Sequence, residues 1–269
     1  MRSSSNPAFR NLPQQGQGGR ATFGGGAGAG AYPDTQAGYG QPGAGSGQPG
    51  TTERPITVDD VVMKTGLSAG TALVLGTLTA FFNLYALTLP AFVVGFVVSL
   101  VLIFKPQWAK APLVLLYSAA MGIALGGITG VFNAIYPGIA LQAVVGTAGV
   151  FIGMLVVYKT GAVRVTPRFT KWLMGAMVGV VILMLFNLVM SLFGVNTGLR
   201  DGSWLAIGFS LLVIGVAAFS LLLDFDAADQ AIRAGAPASF SWYIAFGLMT
   251  TLVWLYIEIL RLLSYLRQD

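Results

Sequence analysis

A single glutamate, Glu258, interrupts a long apolar run close to the end of the chain. The run reads Leu252-Val-Trp-Leu-Tyr-Ile-Glu-Ile-Leu-Arg-Leu-Leu263. A carboxylate in the middle of a lipid bilayer costs about 2.5–3.5 kcal/mol on insertion scales. It persists there only if it faces other helices or water, takes up a proton or finds a counter-charge. Glu258 is therefore the residue that this sequence most strongly marks as functional.

Arg261 stands one helical turn after Glu258 and is its nearest possible counter-charge. Residues three apart on a helix lie side by side, so the two side chains can form an ion pair. One interpretation is structural, with the pair neutralising itself inside a helix bundle. The other is functional, with Glu258 acting as a proton-titrating gate or as a cation ligand. The sequence leaves both open.

A second group of acids lies in Leu222-Leu-Asp-Phe-Asp-Ala-Ala-Asp-Gln-Ala-Ile232. Asp226 and Asp229 share a helix face, and Asp229 can reach Arg233 one turn later. Asp224 follows directly on three leucines and points to a different side of the helix. Asp224 is the least comfortable of the three acids in an apolar setting and Asp226 is intermediate, while Asp229 fits a solvated pair at a helix end.

Composition places these acids in a membrane protein. Of the 269 residues, 55% are hydrophobic and 9% are charged, whereas soluble domains carry about a quarter of charged residues. The chain has no cysteine and no histidine, which excludes disulfides, thiolate metal sites and the commonest general base. No phosphate loop or metalloprotease motif is present, so we expect neither an enzyme nor a cofactor. The net charge of +5 lies mainly in the tail and short loops, where membrane topology explains it without nucleic acid.

The chain divides into two regions. Residues 1–56 are rich in Gly, Pro, Gln and Ser, so they cannot bury enough apolar surface to fold and are predicted to form a disordered cytoplasmic tail. Residues 57–269 are predicted to form an all-α transmembrane bundle. Thr57 has the form of a helix N-cap followed by two acids, and it opens a short amphipathic lead into the membrane.

Seven hydrophobic stretches are each about long enough to cross a bilayer. Trp and Tyr residues mark several of their ends, as is typical of membrane interfaces. The predicted spans are about Leu67–Leu87, Leu89–Phe104, Ala111–Ile135, Ile139–Tyr158, Trp172–Val195, Trp204–Leu223 and Trp242–Leu266.

The distribution of Lys and Arg between the loops predicts the orientation. If the tail is cytoplasmic, its side carries about twelve basic residues and the other side about three. Because basic residues are retained in the cytoplasm, the N-terminus is predicted inside and the C-terminus outside. A six-span count would place the C-terminus inside as well. We expect the bilayer to be a bacterial-type plasma membrane.

Glycines recur at helical spacing in the third span, at Gly122, Gly126 and Gly130. Small residues four apart allow two helix backbones to approach closely. We expect this ladder to serve helix packing.

These residues resemble the Bax inhibitor-1 family, whose bacterial members include the YccA-like proteins. The stretch Leu255-Tyr-Ile-Glu-Ile-Leu-Arg261 is similar to the family's seventh-span motif, with Glu258 where the family has aspartate. Phe225-Asp226, followed by Gln230, is similar to the motif that closes the sixth span. The small-residue segment from Tyr117 to Gly126 resembles the family's third span.

The resemblance implies a pH-sensitive cation leak, chiefly of calcium, gated by two carboxylates that share a proton when closed. Glu258 would be one carboxylate and Asp226 or Asp224 the other, with calcium bound at Glu258 and Asp226. Straight helices would leave Asp226 and Glu258 about 18 Å apart along the bundle. The alternatives are a membrane-embedded regulator that binds another membrane protein, such as a protease, and a small-solute transporter.

Overall fold

The computed structural model describes residues 53–195 and 197–268, and within them the chain forms a bundle of seven membrane-spanning α-helices. Residues 1–52 of the predicted disordered tail lie outside this range. A short 3₁₀ turn precedes the second helix and another precedes the seventh. The helices are α1 Val58–Phe81, α2 Thr88–Phe104, α3 Ala111–Ile135, α4 Ile139–Thr160, α5 Pro167–Leu192, α6 Trp204–Arg233 and α7 Ser241–Tyr265.

The predicted count of seven spans is confirmed, and the ends differ most at the first and the sixth, where α6 continues to Arg233 instead of ending at Leu223. Helix α1 begins at Val58 rather than near Leu67, so the predicted lead and the span are one continuous helix. Thr57 caps it as expected, because its side chain accepts from the Asp60 N–H while the Asp60 carboxylate accepts from the Thr57 N–H. This reciprocal capping box satisfies two backbone donors and starts the helix early.

Helix α7 lies at the centre of the bundle. In its most apolar stretch 61% of the residues are buried inside the protein, against 11% for α4 and for α5. It packs on α1, α3, α4 and α6. A polar side chain on α7 is therefore enclosed by protein, whereas most of α4 and α5 faces the lipid.

The connection between α6 and α7 ends one helix sharply and starts the next. Gly235 adopts a left-handed φ of +64°, and the Ala236 N–H donates back to the Ala231 carbonyl at 3.0 Å. This arrangement satisfies the last carbonyls of α6 and favours glycine at the left-handed position. Pro237 then prevents the helix from continuing. The result is an antiparallel hairpin of α6 and α7.

Residues 53–56, which the sequence assigns to the tail, pack against this hairpin. The Ile56 N–H donates to the Ala236 carbonyl at 2.8 Å, and the Ile56 side chain is only 3% exposed. Glu53 accepts a hydrogen bond from the Ser239 hydroxyl at 2.6 Å, which lowers the pKa of the Glu53 carboxyl below its usual range. Residues 53–56 are thus attached directly to the turn between α6 and α7.

Helices α1 and α3 meet through the predicted glycine ladder. A Cβ at Gly122 would collide with the backbone of Ala72, and one at Gly126 would collide with the backbone of Gly76. Neither neighbour can move aside, because the obstructing atoms belong to the main chain of α1. The ladder therefore sets how closely α1 and α3 approach.

Gly126→Leu is expected to destabilise the bundle by at least 1–3 kcal/mol, roughly the cost of overpacking a tight core. Gly149→Leu on α4 is the matched control, since no atom lies within 4 Å of a Cβ there. Thermal unfolding of the detergent-solubilised protein should show a clear loss for Gly126→Leu alone. Equal melting temperatures for the two variants would contradict this account of α1–α3 packing.

Candidate functional site

Glu258 lies on the inward face of α7. Leu248, Leu255 and Ile259 share that face at helical spacing, and all three are buried. The Glu258 side chain follows the same direction and is 2% exposed as a residue. The apolar pattern of α7 therefore forces this carboxylate into the bundle.

Two arginines hold Glu258 through a single oxygen. Oε1 accepts from Arg261 Nη1 at 2.9 Å and from Arg200 Nη2 at 3.2 Å. The contact with Arg261 is therefore the one that its position, one helical turn after Glu258, predicts. The other oxygen, Oε2, is buried and has no hydrogen-bond partner in the described part of the chain. One oxygen of the carboxylate is neutralised by two cations, while the acceptor capacity of the other is unsatisfied within the described residues.

Arg200 is the residue that sequence reasoning missed. It belongs to the connection between α5 and α6, and its side chain is 20% exposed. Its guanidinium also lies over the Phe209 ring, 5.9 Å from the centroid. The signal available in the sequence was its positive charge, because Arg200 is one of the few basic residues on the side opposite the N-terminus. Arg200 therefore reaches from the loop into the end of the bundle, where it contacts Glu258 on the central helix.

Asp224 forms a separate contact, nearer the end of the bundle at which α1 starts. The Thr251 hydroxyl of α7 donates to its carboxylate at 2.7 Å. No basic side chain among residues 53–195 and 197–268 forms an ion pair with Asp224. The contact presents a carboxylate and a hydroxyl oxygen together, which are the ligand types that hard cations prefer.

A layer of leucines separates the two carboxylates. Thr251 precedes Glu258 by seven residues, which corresponds to about 10 Å along the helix. Leu255 lies between them on α7, and Leu221 lies one turn before Asp224 on α6. Both leucines are fully buried. The bundle thus places one acid on each side of an apolar barrier.

Asp226 is not brought to Glu258. Its carboxylate accepts from Gln230 Nε2 at 2.5 Å and lines an open cleft beside Tyr158. Counted from the ends of α6 and α7, the two acids are offset by about 15 Å, close to the separation that straight helices predict. Asp229 pairs with Arg233 at 2.8 Å on the surface, as its spacing indicates.

The arrangement contains no preassembled metal cage. Among residues 53–195 and 197–268, no three acidic, histidine or cysteine side chains converge on a common point. Calcium takes six to eight oxygen ligands. Any cation held by Glu258 or Asp224 would therefore keep much of its water.

Seven spanning helices, of which the central one carries a buried carboxylate, define a multi-pass membrane protein. A model of the Bax inhibitor 1 like family matches residues 6–268. The chain belongs to this family, as the motifs around Glu258 and Asp226 predicted. No curated protein matches the chain.

Glu258→Gln is expected to lower the melting temperature, because it leaves two guanidinium groups facing each other without an anion. Hydrogen bonds to a charged group contribute about 1.5–3 kcal/mol, and partial exposure of the arginines reduces this towards the lower end. Adding Arg261→Met should recover part of the loss by removing one of the stranded cations.

Asp229→Asn supplies the matched control for that experiment. It breaks an acid–arginine pair whose two side chains are 38% and 78% exposed, and it should change stability by less than about 1 kcal/mol. If Glu258→Gln proves no more harmful than Asp229→Asn, the buried ion cluster is not the stabilising contact described here.

Proposed function

We propose that this protein is a pH-sensitive cation leak in which Glu258 controls the outer end of the pathway, without an enzymatic activity. The observation that carries the proposal is the position of Glu258, buried on the central helix and held by an arginine from a loop. Family membership supports the leak as well, because the resemblance implies a pH-sensitive cation leak. The proton-sharing pair of carboxylates that it also implies is not formed, because Asp224 and Asp226 have other partners than Glu258. Calcium is the proposed ion.

Proton uptake would open the outer end by breaking the ion cluster. In the described state, the negative charge of Glu258 holds Arg200 and with it the loop between α5 and α6. Protonation removes that charge and leaves Arg200 beside Arg261, which repel each other. The loop is then released, so flux should rise as the pH falls.

The second acid would act as a ligand within the pathway. Asp224 and Thr251 present oxygens on the N-terminal side of the leucine layer. An apolar constriction excludes water when it is closed, and the layer around Leu221 and Leu255 fits that role. A cation moving along α7 would then meet Asp224 on one side of the layer and Glu258 on the other.

We propose that the N-terminus faces the cytoplasm of a bacterial-type cell. The connections α2–α3, α4–α5 and α6–α7 share the end of the bundle where α1 starts, and most of the basic residues lie there. Reporter fusions at residues 164, 200 and 269 should give a cytoplasmic signal only at the first. A cytoplasmic signal at 269 would contradict the proposed orientation.

Flux measurements on liposomes containing a calcium-sensitive dye test the proposal. Glu258→Gln should give high flux at every pH, because glutamine cannot hold the two arginines by charge. Asp224→Asn should lower the flux but keep its pH dependence, since it weakens a ligand and leaves the outer ion cluster intact. Asp229→Asn should behave like the wild-type protein.

Two results would overturn this assignment. The first is a wild-type protein, folded and correctly inserted, that shows no pH-dependent cation flux. The second is a Glu258→Gln variant that retains the wild-type pH profile. Either would remove Glu258 from the proposed gating role.

A regulator that binds another membrane protein is the second candidate, and one observation favours it. Gly149 and Gly153 on α4 form a small-residue pair that faces away from the bundle, with open space around both. Such pairs allow close approach of a partner helix. Loss of a co-purifying membrane protein in Gly149→Leu/Gly153→Leu, with no flux in the wild type, would favour this function over a leak.

A further inference from the structure

The connection between α4 and α5 carries a concentrated positive charge. Lys159, Arg164, Arg168 and Lys171 lie within 13 residues, and all four side chains are exposed. None of them forms an ion pair with an acid of the described chain. On the same end of the bundle, by contrast, Arg233 is neutralised by a carboxylate. Four basic residues without an acidic partner in the described chain are therefore concentrated around this connection, against two at the α2–α3 connection.

A cleft of about 590 Å³ lies between this connection and the last turns of α6. Its basic side chains include Lys159 and Arg164. Two acids also line it, but Asp229 is paired with Arg233, and Asp226 accepts a hydrogen bond from Gln230. Counting Lys159, Arg164 and Arg233 against the two acids, the lining keeps a net positive charge. It suits a ligand that carries a negative group.

The helices that run from this connection into the membrane carry exposed apolar side chains. Val156 on α4 and Val178 on α5 are both more than half exposed. Trp172 follows the basic residues and is 62% exposed, a position typical of side chains at the level of lipid headgroups. A ligand bound here would have its charged part on the connection and an apolar part along the helices.

We propose that the α4–α5 connection binds the headgroup of an anionic phospholipid. The phosphate would lie in the cleft against Arg164, and Arg168, four residues later at the start of α5, would add a second guanidinium group. Planar guanidinium groups match phosphate oxygens. The acyl chains would lie along the exposed faces of α4 and α5. Lipid phosphate is the expected source, because the site stands at the membrane interface and continues into the apolar surface. This inference is independent of the proposed leak.

Native mass spectrometry of the full chain, released from nanodiscs of mixed phosphatidylglycerol and phosphatidylcholine, tests the site. Arg164→Gln/Arg168→Gln should bind phosphatidylglycerol about thirtyfold more weakly than the wild type, from two interfacial charges. The matched control is Lys105→Gln/Lys110→Gln, which removes two charges from the α2–α3 connection on the same end of the bundle. It should retain most of the binding, because those residues belong to a different connection, whereas Arg164 lines the cleft and Arg168 follows it by four residues.

Three other outcomes would overturn the proposal. Equal losses in the two double variants would mean that binding follows total charge and not this site. Unchanged binding in Arg164→Gln/Arg168→Gln would place the lipid elsewhere. Competition by millimolar glycerol 3-phosphate, which carries the headgroup phosphate without acyl chains, would identify a soluble phosphate compound as the ligand. Melting temperatures close to the wild type would show that both double variants remain folded.

Discussion

A carboxylate enclosed by protein inside a membrane must be balanced locally, and in this protein the balance for Glu258 comes from two directions. Arg261 is supplied by the same helix, whereas Arg200 comes from the connection between α5 and α6. The second contact ties a loop at the membrane surface to the central helix. Any change in the charge of Glu258 is therefore also a change in what holds that loop. This coupling between protonation and loop position is the physical basis of the proposed leak.

The rest of the bundle keeps α7 in place so that this coupling can operate. On one side, α1 and α3 pack through glycines at backbone contact, which leaves little freedom between them. At the start of α7, the end away from Glu258, residues 53–56 pack on the turn that joins this helix to α6. In contrast, α4 and α5 present much of their surface to lipid. The described contacts thus combine a closely packed inner group with two more loosely enclosed outer helices, α4 and α5. The loop that carries Arg200 starts from α5.

Much of this fold follows from the sequence because the bilayer imposes a simple rule. Each span needs about 20 apolar residues, and the third span was predicted with its observed ends, Ala111–Ile135. The first helix was placed too late, because its opening turns carry Asp59, Asp60 and Lys64 and do not look like part of a span. The N-cap at Thr57 was predicted, but the capping box that it forms with Asp60 and the one uninterrupted helix that follows were not.

The site was harder to predict than the helices. Spacing alone identified Arg261 as a neighbour of Glu258, since residues three apart on a helix must be close. Arg200 lies 58 positions away and reaches Glu258 only through the path of a loop, which no local pattern encodes. Thr251 likewise becomes the partner of Asp224 through the register between α6 and α7. The sequence could exclude a short Asp226–Glu258 distance in straight helices but could not supply the contact that Asp224 makes.

The most direct test of the central claim is a distance measured across the outer end of the bundle as the pH changes. The chain has no cysteine, so spin labels at Val195→Cys and Leu266→Cys report on the α5–α6 connection and the end of α7 without background. Pulsed electron–electron double resonance in nanodiscs should give a single short distance between the two labels at neutral pH and a longer, broader distribution at acidic pH. Adding Glu258→Gln should give the longer distribution at both. A distance that is unchanged between neutral and acidic pH in the doubly labelled protein would contradict the account.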